Sequence, residues 1–300
     1  MTINYVSLKK EVHKRIKRRT VDDMETFLKK SKPTLWAKKQ GRGFLKKSLY
    51  VTLYKDMYAK GYNTLEHAIK SMYKVSVRSL RHNVKVLRRH LHQWGRSKIT
   101  RGNLSDWERA ASGVKRQKYT KNVVLTMDST DFRLAGKSTT KKSSEDWSYK
   151  LNGPGQRFHC IQDLRGKIIE LSDAGYTPKL YDGHWMLANA DRINRQYKGS
   201  TIAADCHYHS SRYAFENLTI LAPAPDRKAT RAEGSEGTGT VLSKKQQTEN
   251  AQIRALRSRV EAPFGIIKTK FEALFQPWYE SKKQQNHMVN YAVGVHNFEL

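Results

Sequence analysis

The sequence predicts a mixed α/β domain preceded by an all-α region, and three observations carry the prediction. Residues 1 to about 110 combine apolar and charged residues at helical spacing. From Asn122 onward, short β-rich runs alternate with helical stretches. Between them, residues 95–120 are polar and basic and read as a linker. The predicted division is therefore 1–115 and 120–300, within the 300 residues of the chain.

In the first region, Asp22–Lys30 and Leu45–Lys60 are predicted helices, punctuated by Gly41 and Gly43. Residues 64–91 form the sharpest pattern. Thr64 caps a first helix, Leu65–Tyr73, and Lys74–Val75 make a short turn. Ser76 then caps a second helix reaching about His90. Leu80, Val84 and Leu87 give that helix a buried face, which leaves Arg78, Arg81, Lys85, Arg88 and Arg89 outside. This is the layout of a helix-turn-helix, and an ordinary helical hairpin with a basic face has the same spacing. A short helix is expected at Leu104–Ala111.

In the second region, NVVLTMDST is a strand ending at Asp128, and TIAAD is a strand ending at Asp205. Arg157–Asp163, a turn at Leu164–Gly166 and Lys167–Ser172 form a hairpin. Tyr181–Tyr197 is a helix with Trp185, Leu187, Ala188 and Ile193 on its apolar side, and Leu218–Leu221 is a further strand. Residues 223–245 form a long loop of Gly, Ser, Thr and charge. A long helix begins near Gln246, with Ile253, Leu256, Val260, Phe264, Ile267, Phe271 and Leu274 as its stripe, and Pro263 should kink it. A last helix spans Gln284–Phe298.

Charge narrows the function. Lys plus Arg number 57 against 27 for Asp plus Glu, a formal net charge of +30. A core does not need that excess, whereas a polyanion does, because each cation placed on a phosphate releases counterion. DNA and RNA satisfy the argument equally. The two cysteines, Cys160 and Cys206, exclude a disulfide framework and a cysteine-rich zinc module. No apolar run approaches the ~18 residues of a membrane span, and the basic N-terminal stretch lacks the apolar segment of a secretory signal. Lys14–Arg19 reads equally as a nuclear import signal or as a phosphate-binding arm, so the setting is a nucleus or, for a bacterial source, the cytoplasm.

Asp128, Asp205 and Glu261 stand out by placement. Sites in α/β sheets form at the carboxyl ends of strands, and Glu261 lies one residue off the helical stripe, beside Val260. Clustered carboxylates repel unless a cation sits between them. Hard oxygen ligands suit Mg²⁺ or Mn²⁺, and two such ions about 3.5–4 Å apart can serve the attacking and leaving oxygens of a phosphodiester. Arg257, Glu261, Gly265 and Lys268 share one helical face, so Arg257 and Lys268 would flank the acids and hold phosphates. An ordinary charged amphipathic helix would look the same.

MDST at Met127–Thr130, AADCHY at Ala203–Tyr208 and RSRVEAPFGIIK at Arg257–Lys268 resemble the three blocks of the DDE superfamily endonucleases. Within that superfamily they most resemble the PIF/Harbinger-type transposases and their insertion-sequence relatives. The resemblance covers residues 120–298. The Asp of the first block, the Asp with Tyr208 three residues on, and the Arg-x-x-Val-Glu, Gly and Lys of the third all have counterparts. Departures are Cys206 and His207 after the second Asp, Asp182-Gly183-His184 in place of a His-Asp pair, and Pro263. The resemblance implies a ribonuclease H-like fold and catalysis by Asp128, Asp205 and Glu261 with divalent metal. It also implies cutting of double-stranded DNA with joining of the 3′-hydroxyl to a target. Tyr208, Asp182 and His207 would support the ligands. The reaction implies a homo-oligomer, and a separate DNA-binding partner protein is compatible with it. A relative that keeps DNA binding and has lost catalysis would carry the same blocks. Asp131 is a minor alternative ligand, Asp163 a hairpin-turn residue, and Asp173 a capping or loop acid.

Overall fold

The computed structural model describes residues 5–31, 44–59, 76–135, 144–172, 175–178, 182–225, 242–260 and 262–300. The expected first helix of the helix-turn-helix, most of the 223–245 loop, Asp173 and Glu261 lie outside the described residues.

The first region contributes α1 (Tyr5–Arg15), α2 (Arg18–Ser31), α3 (Phe44–Met57), α4 (Val77–Lys98) and α5 (Leu104–Ser112). Ser76 caps α4 as the sequence predicts, its hydroxyl accepting the Ser79 N–H at 3.2 Å. Leu80, Val84 and Leu87 are buried. The helix runs past His90 to Lys98, and its last turns bury Leu91 and Trp94. There it crosses α10 (Lys282–Glu299) through paired glycines. A Cβ on Gly95 would lie 2.3 Å from the Asn290 carbonyl oxygen, and one on Gly294 would lie 2.5 Å from the Gly95 Cα. Only glycine permits that approach. Asn103 and Asp106 close a capping box on α5.

The sheet comprises β1 (Leu125–Arg133), β2 (Trp147–Ser148), β3 (Gly153–Asp163), β4 (Ile168–Leu171), β5 (Thr201–Ala203) and β6 (Thr219–Leu221). Its order is β2-β3-β1-β5-β6, with β4 also on β3. β3 is antiparallel to β1, β2 and β4, while β5 is parallel to β1 and β6. The β3–β4 turn uses Gly166 at φ 88°, and the Asp163 carboxylate accepts the N–H groups of Arg165 and Lys167. Asp163 is thus the turn residue expected of it.

Alternation along the strands divides the core. Leu125 and Met127 of β1 and Ile161 of β3 face one cluster with Trp185, Ile202, Tyr208, Ile253 and Leu256. Phe132 of β1 with Phe158 and Cys160 of β3 face the other, which also holds Leu8, Met24, Leu49, Leu87, Trp94 and the buried side of α10. Packing therefore crosses the compositional change at residues 115–120.

Tyr181–Tyr197 is divided into α6 (Asp182–Ala188) and α7 (Ala190–Gln196). At the break the Asn189 amide donates to the Trp185 carbonyl at 2.8 Å, a local bond that competes with the helix ladder. The change of phase leaves Leu187 and Ala188 exposed, and Met186 joins Trp185 and Ile193 inside. The expected long helix near the C-terminus is described on either side of residue 261, as α8 (Lys244–Val260) and α9 (Ala262–Lys270), and Pro263 is buried. Ile253 and Leu256 of α8 pack on one face of the sheet, while Ile267 of α9 and the following Phe271 and Leu274 pack on the other.

Candidate active site

Asp128 does not end its strand. β1 continues to Arg133 against β3, but its parallel pairing with β5 stops at Thr126↔Ala203. Asp128 lies where β1 loses that neighbour, and carrying the register on by two residues sets Asp205 abreast of it. Adjacent strands are about 4.8 Å apart, so the two acids meet at the carboxyl ends of parallel strands, where ligands of α/β sheets bind. Each acid is anchored to backbone by one oxygen. Asp128 Oδ1 accepts the Ser129 N–H at 2.7 Å, and Asp205 Oδ1 accepts the His207 N–H at 2.8 Å, capping the 3₁₀ turn Cys206–Tyr208.

Burial raises the Asp128 pKa, Arg257, Lys150 and the Ser129 N–H oppose it, and the Asp205 charge adds to it, leaving the carboxyl above its usual range. The Arg257 guanidinium stands 3.5 Å from Asp128 Oδ2. Lys150, on the turn after β2, donates to Ser129 Oγ at 3.1 Å and stands 4.0 Å from Asp182 Oδ2. Sequence reading missed Lys150. No spacing rule links residue 150 to residue 128, and only the pairing of β2 with β3 and of β3 with β1 brings them together.

Beneath this pair lies a buried ionic frame. Arg157 grips Asp131 with two bonds of 2.7 and 2.9 Å and reaches Asp182 at 3.3 Å. Ser148 donates to Asp131 as well. Burial pushes the Asp131 carboxyl up, but Arg157 and Ser148 hold it below the usual range. Asp131 is a structural counterion, on the opposite face of β1 from Asp128 by strand alternation. Asp182 is buried in the first turn of α6, between Arg157 and Lys150. Tyr208 is fully buried within electrostatic reach of Asp182, Asp205 and Asp128, and its hydroxyl has no hydrogen-bond partner among the described residues. His207 contributes its backbone N–H to Asp205, and its side chain is exposed. His159 stacks on Trp185 at 4.5 Å, and desolvation, opposed by Asp182, lowers its pKa to about 4, so it is neutral.

Arg257 and Lys268, expected on one helical face, touch different parts of β1. Arg257 adjoins Asp128, while Lys268 donates to Thr130 Oγ1 at 2.9 Å and the Asp131 carbonyl at 3.0 Å, farther along β1. Of the basic residues on α4, Arg78, Arg81, Lys85 and Arg89 are exposed. Arg88 corrects the expectation. It is 0% exposed and bound to Asp56 and Glu280, because α4 packs against α3 and the segment before α10 on that side.

Among the described residues no group of three or more His, Cys, Asp or Glu side chains converges as a metal site. Asp128 and Asp205 offer hard oxygens beside one another, and the charge they place together suits a hard divalent cation.

The sequence pattern of the DDE superfamily endonucleases matches residues 127–297. The chain belongs to this family. No curated protein and no solved structure matches it. The matched span of this DDE endonuclease begins one residue before Asp128, ends within α10, and contains the whole site above. No described helix is long and apolar enough to cross a membrane.

Proposed function

We propose that the chain is a divalent-metal-dependent DNA endonuclease of the transposase type, acting through Asp128, Asp205 and Glu261. The observation that carries the reading is the β1–β5 register, which aligns the two described acids of the family's pattern. The strand order β4-β3-β1-β5-β6, with β1, β3 and β4 antiparallel and β5 and β6 parallel, supports a ribonuclease H-like domain. Glu261 enters on the sequence pattern, four residues after Arg257.

Asp128 and Asp205 would hold the cation, Mg²⁺ or Mn²⁺. When bound, it supplies Lewis acidity toward a phosphodiester. Arg257 and Lys150 bind the non-bridging phosphate oxygens and offset their charge. Arg157, Asp131 and Asp182 keep the strand ends and the Lys150 turn in register. The exposed Arg78, Arg81, Lys85 and Arg89 follow the duplex backbone, and the net charge of +30 supplies the sequence-independent part of affinity. Hydrolysis at an element's end, followed by attack of the freed 3′-hydroxyl on target DNA, requires two ends and hence two copies of the chain.

The test is nicking of supercoiled DNA with Mg²⁺ or Mn²⁺ by the intact chain, Asp205→Ala and Glu261→Ala. The proposal expects cutting by the intact chain alone and DNA binding by all three proteins. Equal behaviour of the three, with binding retained and no metal-dependent cutting, would replace it with DNA binding without catalysis.

A further inference from the structure

Beyond the acids, β1 leads into a second recess. Asp131, Arg133 and Leu151 line it on the sheet side, and Lys268, Phe275 and Gln276 line it on the other. Its volume is about 320 Å³, at the small end of ligand pockets and suited to a single nucleotide. Its charge is positive. The Asp131 carboxylate is spent on Arg157, which leaves Arg133 and Lys268 as the ionic lining. Each cation is fixed by neutral oxygens. Arg133 donates to the Leu151 carbonyl at 2.8 Å, and Lys268 donates to Thr130 Oγ1 and the Asp131 carbonyl. At the rim, Phe275 is 69% exposed, an apolar ring presented to solvent beside two cations. Its backbone N–H is bonded to Glu272, which closes the 3₁₀ turn that presents the ring.

Position relates the recess to the cutting site. Asp128 and Asp131 are three residues apart on one strand, about 10 Å. A DNA strand covers that distance in about three stacked steps, or fewer when unstacked. Arg257 at Asp128 and Lys268 at Thr130 make a row of cations on one face of β1, and Arg133 joins Lys268 at the recess. A strand whose phosphates follow that row brings one of its nucleotides to the recess.

Resting on the nuclease reading, we propose that this recess holds an unstacked nucleotide of the DNA strand near the cut bond, with Lys268 and Arg133 on its phosphate and Phe275 stacked on its base. An aromatic face and cations together are the recognition chemistry of unpaired nucleotides, because every base offers a π-face. A stacked duplex base cannot enter a recess of this size without leaving its neighbours. The substrate class is therefore DNA with an unpaired or easily unpaired nucleotide close to the cleavage point.

The experiment measures binding without catalytic metal, in EDTA, to a fully paired duplex and to the same duplex with a single-nucleotide 2-aminopurine bulge. Phe275→Ala is the main variant, since an exposed ring can be removed without opening the core. Phe275→Trp is the conservative replacement. The proposal expects tighter binding of the bulged duplex by the full chain, with a change in 2-aminopurine fluorescence. Phe275→Ala should lose about fivefold or more of affinity for the bulged duplex alone, and Phe275→Trp should restore it. Equal affinity for the two duplexes, or a preference that survives Phe275→Ala, overturns the proposal. Because no cutting is needed, the nuclease reading fails separately, in the nicking assay.

Discussion

Arg88→Ala separates a buried structural cation from a DNA contact. The guanidinium is fully enclosed. Its Nε donates to Asp56 Oδ2 at 3.0 Å, Nη2 bonds the other Asp56 oxygen, and Nη1 bonds Glu280 at 2.9 Å. The Trp278 ring lies 4.9 Å from the guanidinium carbon. Asp56 is 0% exposed, so truncation would leave a carboxylate in a low-dielectric interior. Breaking such a pair costs about 3–5 kcal/mol. With about 2–4 °C per kcal/mol for a chain approaching this size, Tm should fall by roughly 10 °C at pH 7. The pH dependence gives a second signature. Burial pushes the Glu280 carboxyl up, but Arg88 and Lys55 hold it down at about 2, against an ordinary 4.5. A depressed acid contributes stability that is complete above pH 4.5 and is lost as pH falls toward 2, here on the order of 3 kcal/mol. In Arg88→Ala most of that contribution is already gone at pH 7, so Tm should fall less steeply between pH 5 and about 3. Scanning calorimetry at both pH values, with DNA affinity measured well below Tm, decides the matter. An unchanged Tm with weakened DNA binding, matching Arg81→Ala, would refute the structural role.

Three other outcomes follow from the same geometry. Asp128→Asn should leave the Tm of metal-free protein unchanged or raise it, and should abolish cutting in Mg²⁺ or Mn²⁺. The native carboxyl titrates above its ordinary value, so its ionisation disfavours the fold as pH rises through that range. A fall in Tm at pH 7 would contradict this. Lys150→Met should slow cutting by about tenfold, ~1.4 kcal/mol of transition-state stabilisation, with unchanged melting, since its side chain is 45% exposed; an unaltered rate would remove Lys150 from the phosphate site. Gly95→Ala should destabilise by about 1–3 kcal/mol or more, because the new methyl would meet the Asn290 carbonyl oxygen at 2.3 Å. Chemical denaturation reads this directly, and a neutral result would mean that α4 and α10 cross elsewhere.

The sequence by itself determined the kind of protein. Helical spacing, strand runs and caps such as Ser76 are local signals, set by backbone geometry and neighbouring side chains, and α4 starts at the cap read for it. The order of the MDST, AADCHY and RSRVEAPFGIIK blocks pointed to the family whose pattern matches residues 127–297. Tertiary structure decided whatever depended on partners distant in sequence. Arg88 has the same local pattern as Arg89, yet one is buried and the other exposed, because only one of those neighbouring positions faces Asp56 and Glu280. Helical periodicity assigned Arg257 and Lys268 to one face, yet one meets Asp128 and the other Thr130 and the Asp131 carbonyl, because α8 and α9 pack against different clusters of the core. Lys150 and Arg157 carry no motif, and neither residue's approach to Asp182 shows in the sequence. They come together because β3 pairs with β1 and α6 packs over the end of the sheet, and non-local pairing of that kind cannot be read from spacing along the chain.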